Sequence, residues 1–135
     1  MTDLRSQGIT ALLIGIGSAF GGLSRVLLST QFAALPMLGT ALVNVSGAFL
    51  IGLLHVATLP EGRLPLPVYL RQALLAGYLG GFTTFSILSA ETLALLQAGQ
   101  MLTAMGNLFG SLGLALLAVS AGYSLGLRLN PSPGR

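Results

Sequence analysis

Long apolar stretches alternate with short polar segments along this chain, and most charged residues lie between the stretches. A helix needs about 20 mostly apolar residues to cross a lipid bilayer, so the pattern predicts four membrane-spanning helices. A proline-rich segment, 60–67, separates the second stretch from the third, because proline cannot continue a helix. We therefore predict an all-α membrane protein with a single transmembrane domain over 1–135. Its predicted helices cover about 9–29, 37–59, 68–96 and 101–127, and 130–135 is predicted to be a disordered tail.

The composition excludes several classes of protein. Hydrophobic residues make up 53% of the chain and charged residues 7%, whereas about a quarter of the residues in a soluble domain are charged. The absence of cysteine excludes disulfides and cysteine-ligated metal sites. The scattered arginines form no basic stripe, so we expect no nucleic-acid partner. His55 is predicted to lie at the membrane interface, and without a cluster of acid, base and nucleophile we do not expect an enzyme.

The arginines indicate how the chain is inserted. With four spans, both chain ends and the loop between the second and third spans lie on one side of the membrane. All the arginines except Arg25 fall on that side. The positive-inside rule therefore places both termini in the cytoplasm. The arginines on this side are Arg5, Arg63, Arg71, Arg128 and Arg135.

Glycines are unusually frequent within the predicted spans. The chain has 19 glycines, and several pairs are spaced four residues apart, which lets two helix backbones approach closely. Such a pair can pack against another helix of the same chain or form the seam of a dimer, and the sequence favours neither. The pairs are Gly17 and Gly21, Gly106 and Gly110, and Gly122 and Gly126.

The third stretch contains the strongest local anomaly, the sequence GGFTTFS at 80–86. Two adjacent glycines and two β-branched threonines are a weak point in a helix, here near the middle of the bilayer. A helix broken at that depth persists only where its freed carbonyls find partners. The segment is therefore either a packed kink or an ion site.

Three polar side chains lie within the predicted spans. Asn44 is in the centre of the second span, where its amide needs hydrogen-bond partners. Glu91 follows the weak point and is expected to face protein or water rather than lipid. Arg25, late in the first span, either reaches the interface with its long side chain or has a functional role.

These motifs together resemble the small four-helix fluoride channels of bacteria, the CrcB or Fluc family. The resemblance covers nearly the whole chain and rests on several motifs in the family's order. The matching segments are GGLSR at 21–25, PMLGTALVNVSGAFL at 36–50, GGFTTFS at 80–86 and SAE at 89–91.

The resemblance implies an antiparallel dimer in the bacterial inner membrane, with two fluoride pores that both chains line. It also implies one structural sodium ion, which is not transported, held by the main-chain carbonyls of Gly80 and Thr83. Carbonyl oxygens suit such a hard cation. A passive channel of this kind exports fluoride and lowers its cytoplasmic concentration.

The implied pore suits the chemistry of fluoride, a small and strongly hydrated anion. Its water must be replaced by hydrogen-bond donors and by the positive edges of aromatic rings. Arg25 would raise the anion concentration in a vestibule, and Glu91 is the acid of the third helix near the pore. The residues expected to line the pore are Asn44, Thr84, Phe85, Ser86 and Ser111.

One position departs from the family pattern. The family usually carries a second phenylalanine three residues after the first, and this chain has Leu88 there. Leu88 is either a tolerated apolar replacement or a sign that a second, related chain supplies the missing ring. The asymmetric arginines favour the second interpretation, because a chain that forms an antiparallel homodimer must insert in both directions. The partner is therefore the chain itself or an oppositely inserted paralogue.

Two other classes of small membrane protein fit the sequence less well than a channel. A proton-coupled drug exporter of this size needs an acid in its first span, and none lies there. A tetraspan scaffold that transports nothing would explain the glycines, but it would not need Asn44, Arg25 or a weak point in the third span.

Overall fold

A computed structural model describes residues 4–130, and every regular element among them is a helix. Four stretches are long and apolar enough to cross a membrane, which confirms the predicted all-α class and number of spans. Residues 131–135 of the predicted disordered tail lie outside the described part. The four stretches are Leu4–Thr30, Pro36–Ala57, Val68–Gln97 and Met101–Leu129.

The third stretch consists of two helical segments, so we number five helices along the chain. Thr83, Thr84 and Phe85 are not helical and separate the two segments. The helices are α1 at Leu4–Thr30, α2 at Pro36–Ala57, α3 at 68–82, α4 at Ser86–Gln97 and α5 at Met101–Leu129.

Helix α3 changes its winding along its length. It starts with an α-helical turn at Val68–Gln72, continues as a π-helix over Ala73–Leu79 and ends with another α-helical turn at Gly80–Phe82. A π-helix is rare and is found most often at functional sites. Here one α-helical turn separates the π-helix from the interruption in the third span.

Local sequence explains where the helices begin and end. Pro36 occupies the first turn of α2, where its missing N–H costs no helical hydrogen bond. The proline-rich segment 60–67 is not helical. Gly99, between α4 and α5, has a φ of 73°, a left-handed conformation that glycine adopts without strain.

Two helix pairs hold the chain together. The most extensive contact is between α2 and α5, and α1 packs mainly on the π-helix and the last turn of α3. Only a few apolar side chains are buried, among them Val43, Leu79 and Leu88. Many other large apolar side chains are exposed, as expected for helices that face lipid.

The glycine pairs divide between inward and outward faces. A side chain at Gly21 would collide with the Tyr78 carbonyl of α3, and one at Gly122 with the Phe49 carbonyl of α2. These glycines therefore pack within the chain. In contrast, a Cβ atom at Gly106 or at Gly110 would meet nothing within 4 Å.

Candidate functional site

Asn44 of α2 binds the main chain at the interruption in the third span. Thr83 is extended, with φ of −73° and ψ of 160°, so α3 cannot continue through it. The Asn44 Nδ2 donates to the Thr84 carbonyl at 2.8 Å, and the Thr84 N–H donates to Asn44 Oδ1 at 2.7 Å. The Asn44 amide thus provides hydrogen-bond partners for the Thr84 N–H and carbonyl, which a continuous helix would otherwise provide.

Thr84 also caps the helix that follows. Its Oγ1 accepts a hydrogen bond from the Ile87 N–H at 3.2 Å and lies 3.2 Å from Ser86 Oγ. A hydroxyl at the start of a helix satisfies an N–H that has no partner within the helix. The Thr84 hydroxyl therefore stabilises the first turn of α4, which begins at Ser86.

Arg25 of α1 contacts the interruption from the other side. Its Nη1 donates to the Thr83 carbonyl at 3.0 Å, and its buried Nε has no hydrogen-bond partner among residues 4–130. The C-terminal end of a helix carries partial negative charge, which a guanidinium stabilises. The structure therefore places the Arg25 guanidinium on the main chain at the end of α3, and its expected effect on the local anion concentration stays a prediction.

The carbonyls of Gly80 and Thr83 differ in how well they suit a cation. In a continuous helix the Thr84 N–H would bind the Gly80 carbonyl, but here it binds Asn44 instead. The exposed Gly80 thus lacks that helical donor and fits a hard cation. The Thr83 carbonyl already accepts from Arg25 and has one lone pair left. Residues 4–130 contain no group of three or more histidine or acidic side chains that could hold a metal ion.

An open cavity of about 250 Å³ lies beside the interruption. Phe85, which lines this cavity, is 64% exposed. Leu88, which stands where the family usually has a second phenylalanine, is only 2% exposed. Four of the five predicted pore residues line the cavity, and Ser86 does not. The lining includes Asn44, Thr84, Phe85, Leu88 and Ser111.

Glu91 belongs to a separate polar cluster that does not line this cavity. The hydroxyl of Thr40 in α2 donates to Glu91 Oε1 at 2.7 Å, and the buried Oε2 has no partner among the described residues. On α5, Asn107 donates to Thr92 Oγ1 at 3.3 Å. Sequence reasoning did not single out Thr40, although its place one turn before Asn44 puts it on the same face of α2.

His55 is exposed at the end of α2, as predicted for an interfacial residue, and contacts Arg71 of α3. Arg71 Nη2 lies 3.1 Å from His55 Nδ1 and 3.5 Å from Nε2, so the guanidinium lies over the ring rather than in its plane. Arg71 also donates to the His55 carbonyl at 3.2 Å and to Thr58 Oγ1 at 3.2 Å. These contacts fasten the start of the third span to the end of the second.

The fold and the site define a small multi-pass membrane protein whose third span is interrupted beside a mainly apolar cavity that a few polar side chains line. Comparison with known proteins identifies its family. The profile of the family described as CrcB-like protein, Camphor Resistance (CrcB), matches residues 12–123. The chain belongs to this family, whose members are ion channels and not enzymes.

Relatives from several bacteria resemble the chain over most of its length. The fluoride-specific ion channel FluC of Opitutus terrae is 42% identical, with 91% of this chain and 96% of the relative covered. FluC of Methylobacterium radiotolerans is 39% identical, with coverage of 90% and 87%. FluC 1 of Rhodopseudomonas palustris is also 39% identical, with coverage of 99% and 98%. The chain is therefore a multi-pass protein of a bacterial membrane.

Proposed function

We propose that the chain is a fluoride-selective channel that lets fluoride leave the cytoplasm passively. The observation that carries this proposal is the exposed Phe85 ring at the mouth of a cavity lined by Asn44 and Ser111. The positive edge of the ring and the remaining amide and hydroxyl donors suit a small anion that must shed its water. Fluoride is also the ion that the names of the relatives specify.

We further propose that the pore forms where two copies meet in antiparallel orientation. The outward face of α5 carries Gly106 and Gly110, where nothing lies within 4 Å of an added Cβ atom. A second helix can therefore approach the α5 backbone closely. The cavity beside Phe85 is open on its outer side, so a second chain would supply the missing wall.

A structural sodium ion on the dimer axis belongs to the same proposal. The Gly80 carbonyl lacks the Thr84 N–H donor of a continuous helix, and Gly80 is exposed. Two copies would together offer such carbonyls to one cation. In this arrangement the interruption of the third span lies near the middle of the bilayer, and the cation holds two interrupted helices together without crossing the membrane.

A second candidate is one half of a heterodimeric fluoride channel. Five arginines lie at one predicted side of the membrane, and this asymmetry favours a single direction of insertion. Leu88 is buried where the family usually has a second ring. A related chain with the opposite charge bias would then complete the pore.

Fluoride efflux from liposomes tests the proposed function. Purified protein is reconstituted alone, and fluoride release is followed with an electrode beside a chloride control. We compare Asn44→Ala, which leaves the main chain of Thr84 without two partners, with the matched variant Ser46→Ala. Ser46 is exposed two residues away on α2 and bonds only to main-chain carbonyls of its own helix.

The proposal predicts rapid fluoride efflux without chloride efflux, lost in Asn44→Ala and kept in Ser46→Ala. Chloride efflux at the same rate would contradict selectivity for fluoride. No efflux from folded wild-type protein would contradict the homodimer. Efflux that returns on addition of an oppositely inserted paralogue would then support the heterodimer.

A further inference from the structure

A second groove lies at the opposite end of α2 from Pro36, where α2 and α5 both end. Its volume is about 490 Å³. Apolar side chains from both helices form most of its wall, and the loop after α2 closes one side. The residues that line it are Leu53, Leu54, Ala57, Arg63, Leu64, Leu129 and Asn130.

Hydrogen bonds hold the loop against the helix ends and thereby shape the groove. The Arg63 N–H donates to Asn130 Oδ1, and Asn130 Nδ2 donates to the Gly126 carbonyl at 2.6 Å. The Leu64 N–H donates to the Ala57 carbonyl at 2.9 Å. Asn130 thus links the end of α5 to the loop, and the groove is a defined feature of the fold.

Because two membrane-spanning helices end at the groove, we expect it to lie where a membrane changes from hydrocarbon to headgroups. Both α2 and α5 are membrane-spanning stretches, and both end at its wall. Leu64 is 61% exposed on the loop, although it follows a charged residue. An exposed leucine beside an arginine is typical of a surface that contacts both the chain and the headgroup of a lipid.

In the part of the chain that the structure describes, Arg63 is the only charged residue that lines the groove. Its main-chain N–H is bonded to Asn130, whereas its guanidinium has no hydrogen-bond partner among residues 4–130. The neighbouring arginine Arg71 is occupied by His55 and Thr58. Glu61 is the one acidic residue of the loop. The groove therefore combines an apolar wall with one available cationic side chain.

We propose that this groove binds one anionic phospholipid, with an acyl chain along Leu53, Leu54 and Leu129 and the headgroup phosphate on Arg63. The apolar wall requires a hydrocarbon chain, and a guanidinium binds phosphate through paired N–H donors. A lipid with net negative charge is favoured over a zwitterionic one, because the arginines at this end outnumber Glu61. The site is separate from the proposed pore.

Quenching by brominated lipid tests this site, because the chain has no tryptophan of its own. A single Leu64→Trp substitution puts a fluorophore in the groove. Leu127→Trp is the matched control, since Leu127 is 53% exposed near the same end of α5 but does not line the groove. Each variant is reconstituted with dibrominated phosphatidylglycerol or dibrominated phosphatidylcholine.

We expect phosphatidylglycerol to bind about fivefold more strongly than phosphatidylcholine beside Leu64→Trp, and the two lipids to be equal beside Leu127→Trp. Arg63→Gln in the Leu64→Trp protein should remove the preference. Arg128→Gln should keep it, since Arg128 is at the same end but does not line the groove.

Two results would overturn the proposal. Equal losses in Arg63→Gln and Arg128→Gln would mean that diffuse positive charge, not the groove, attracts the lipid. Lipid quenching that appears only after removal of 131–135 would mean that the end of the chain itself fills the groove. Circular dichroism of each variant confirms that its helices are intact.

Discussion

Two glycine pairs on the same helix have opposite environments. Gly122 and Gly126 of α5 face α2, where an added side chain would collide with the main chain of Phe49 or press on Val56. Gly106 and Gly110 have the same four-residue spacing, yet nothing lies within 4 Å of a Cβ atom built there. Gly122 and Gly126 thus lie on a face of α5 that α2 closes, whereas Gly106 and Gly110 lie on a face that is left open.

This difference separates the residues that build the subunit from those proposed to build the assembly. Ser111 and Gly122 lie eleven residues apart, close to three helical turns, so they share the buried face of α5. Gly110 lies about 100° away from Ser111 around the helix axis. The spacing of glycines in a sequence therefore does not show by itself which pairs pack against a helix of the same chain.

The largest expected effect comes from filling the closed face of α5 at Gly122. Gly122→Leu places a side chain against the Phe49 carbonyl, and overpacking of this kind costs about 1–3 kcal/mol for far smaller groups. We expect this variant to lose its folded, monodisperse peak in size-exclusion chromatography. Gly110→Leu should fold normally, because its side chain meets open space. A folded Gly122→Leu protein would contradict the packing of α2 on α5.

The contact between Arg25 and the end of α3 should have the next largest effect. Arg25→Met keeps much of the side-chain volume but removes the donor to the Thr83 carbonyl. A hydrogen bond from a charged group contributes about 1.5–3 kcal/mol, so we expect a clear fall in the thermal unfolding temperature. Ser24→Ala serves as a comparison. Ser24 precedes Arg25 in α1, and its hydroxyl accepts a hydrogen bond from the Tyr78 hydroxyl. An unchanged unfolding temperature in Arg25→Met would contradict a stabilising role for the Arg25 contact.

Helix α1 also has both packed and open glycines, and we expect a smaller effect on stability from filling one of each. Gly17→Ala brings a methyl group to the main chain of Ala73 in the π-helix, and we expect destabilisation of about 1–3 kcal/mol. Gly15→Ala meets nothing within 4 Å and should change stability by less than about 1 kcal/mol. Thermal unfolding of the two variants and the wild type, all in one detergent, measures both changes in stability. Equal effects would mean that α1 does not pack on the π-helix as described.

The smallest expected effect on folding comes from restoring the family's second ring. Leu88 is buried but lines the open cavity of about 250 Å³, which can accept the larger phenylalanine side chain. Leu88→Phe should therefore fold with an unfolding temperature close to that of the wild type. We expect its fluoride efflux to rise, because a second ring edge faces the anion. A loss of efflux would mean that Leu88 is adapted to this particular pore.

Much of the fold could be predicted from the sequence, because membrane spans are long runs with a strong hydropathy signal. The glycine pair at 80–81 also indicated where the regular helix gives way, and α3 ends at Phe82. The π-helix at Ala73–Leu79 could not be predicted. Its residues are ordinary apolar ones, and the winding depends on how they pack against α1.

The residues of the candidate site were easier to identify than their roles. Sequence reasoning assigned Asn44 to the pore as a donor, and the structure places it in the cavity lining but with its amide bonded to Thr84. Arg25 likewise binds the Thr83 carbonyl. A polar residue in a span must find partners, but sequence does not tell whether these are ions or main-chain atoms.

We propose that fluoride crosses the membrane only where two chains meet on the open face of α5, which carries Gly106 and Gly110. The most direct test of this proposal is fluoride efflux from liposomes with Gly110→Leu, compared with Gly15→Leu, which also adds a leucine where nothing lies within 4 Å. If fluoride crosses at this contact, both variants fold, Gly15→Leu conducts like the wild type and Gly110→Leu does not. Undiminished fluoride efflux from Gly110→Leu would contradict the proposal.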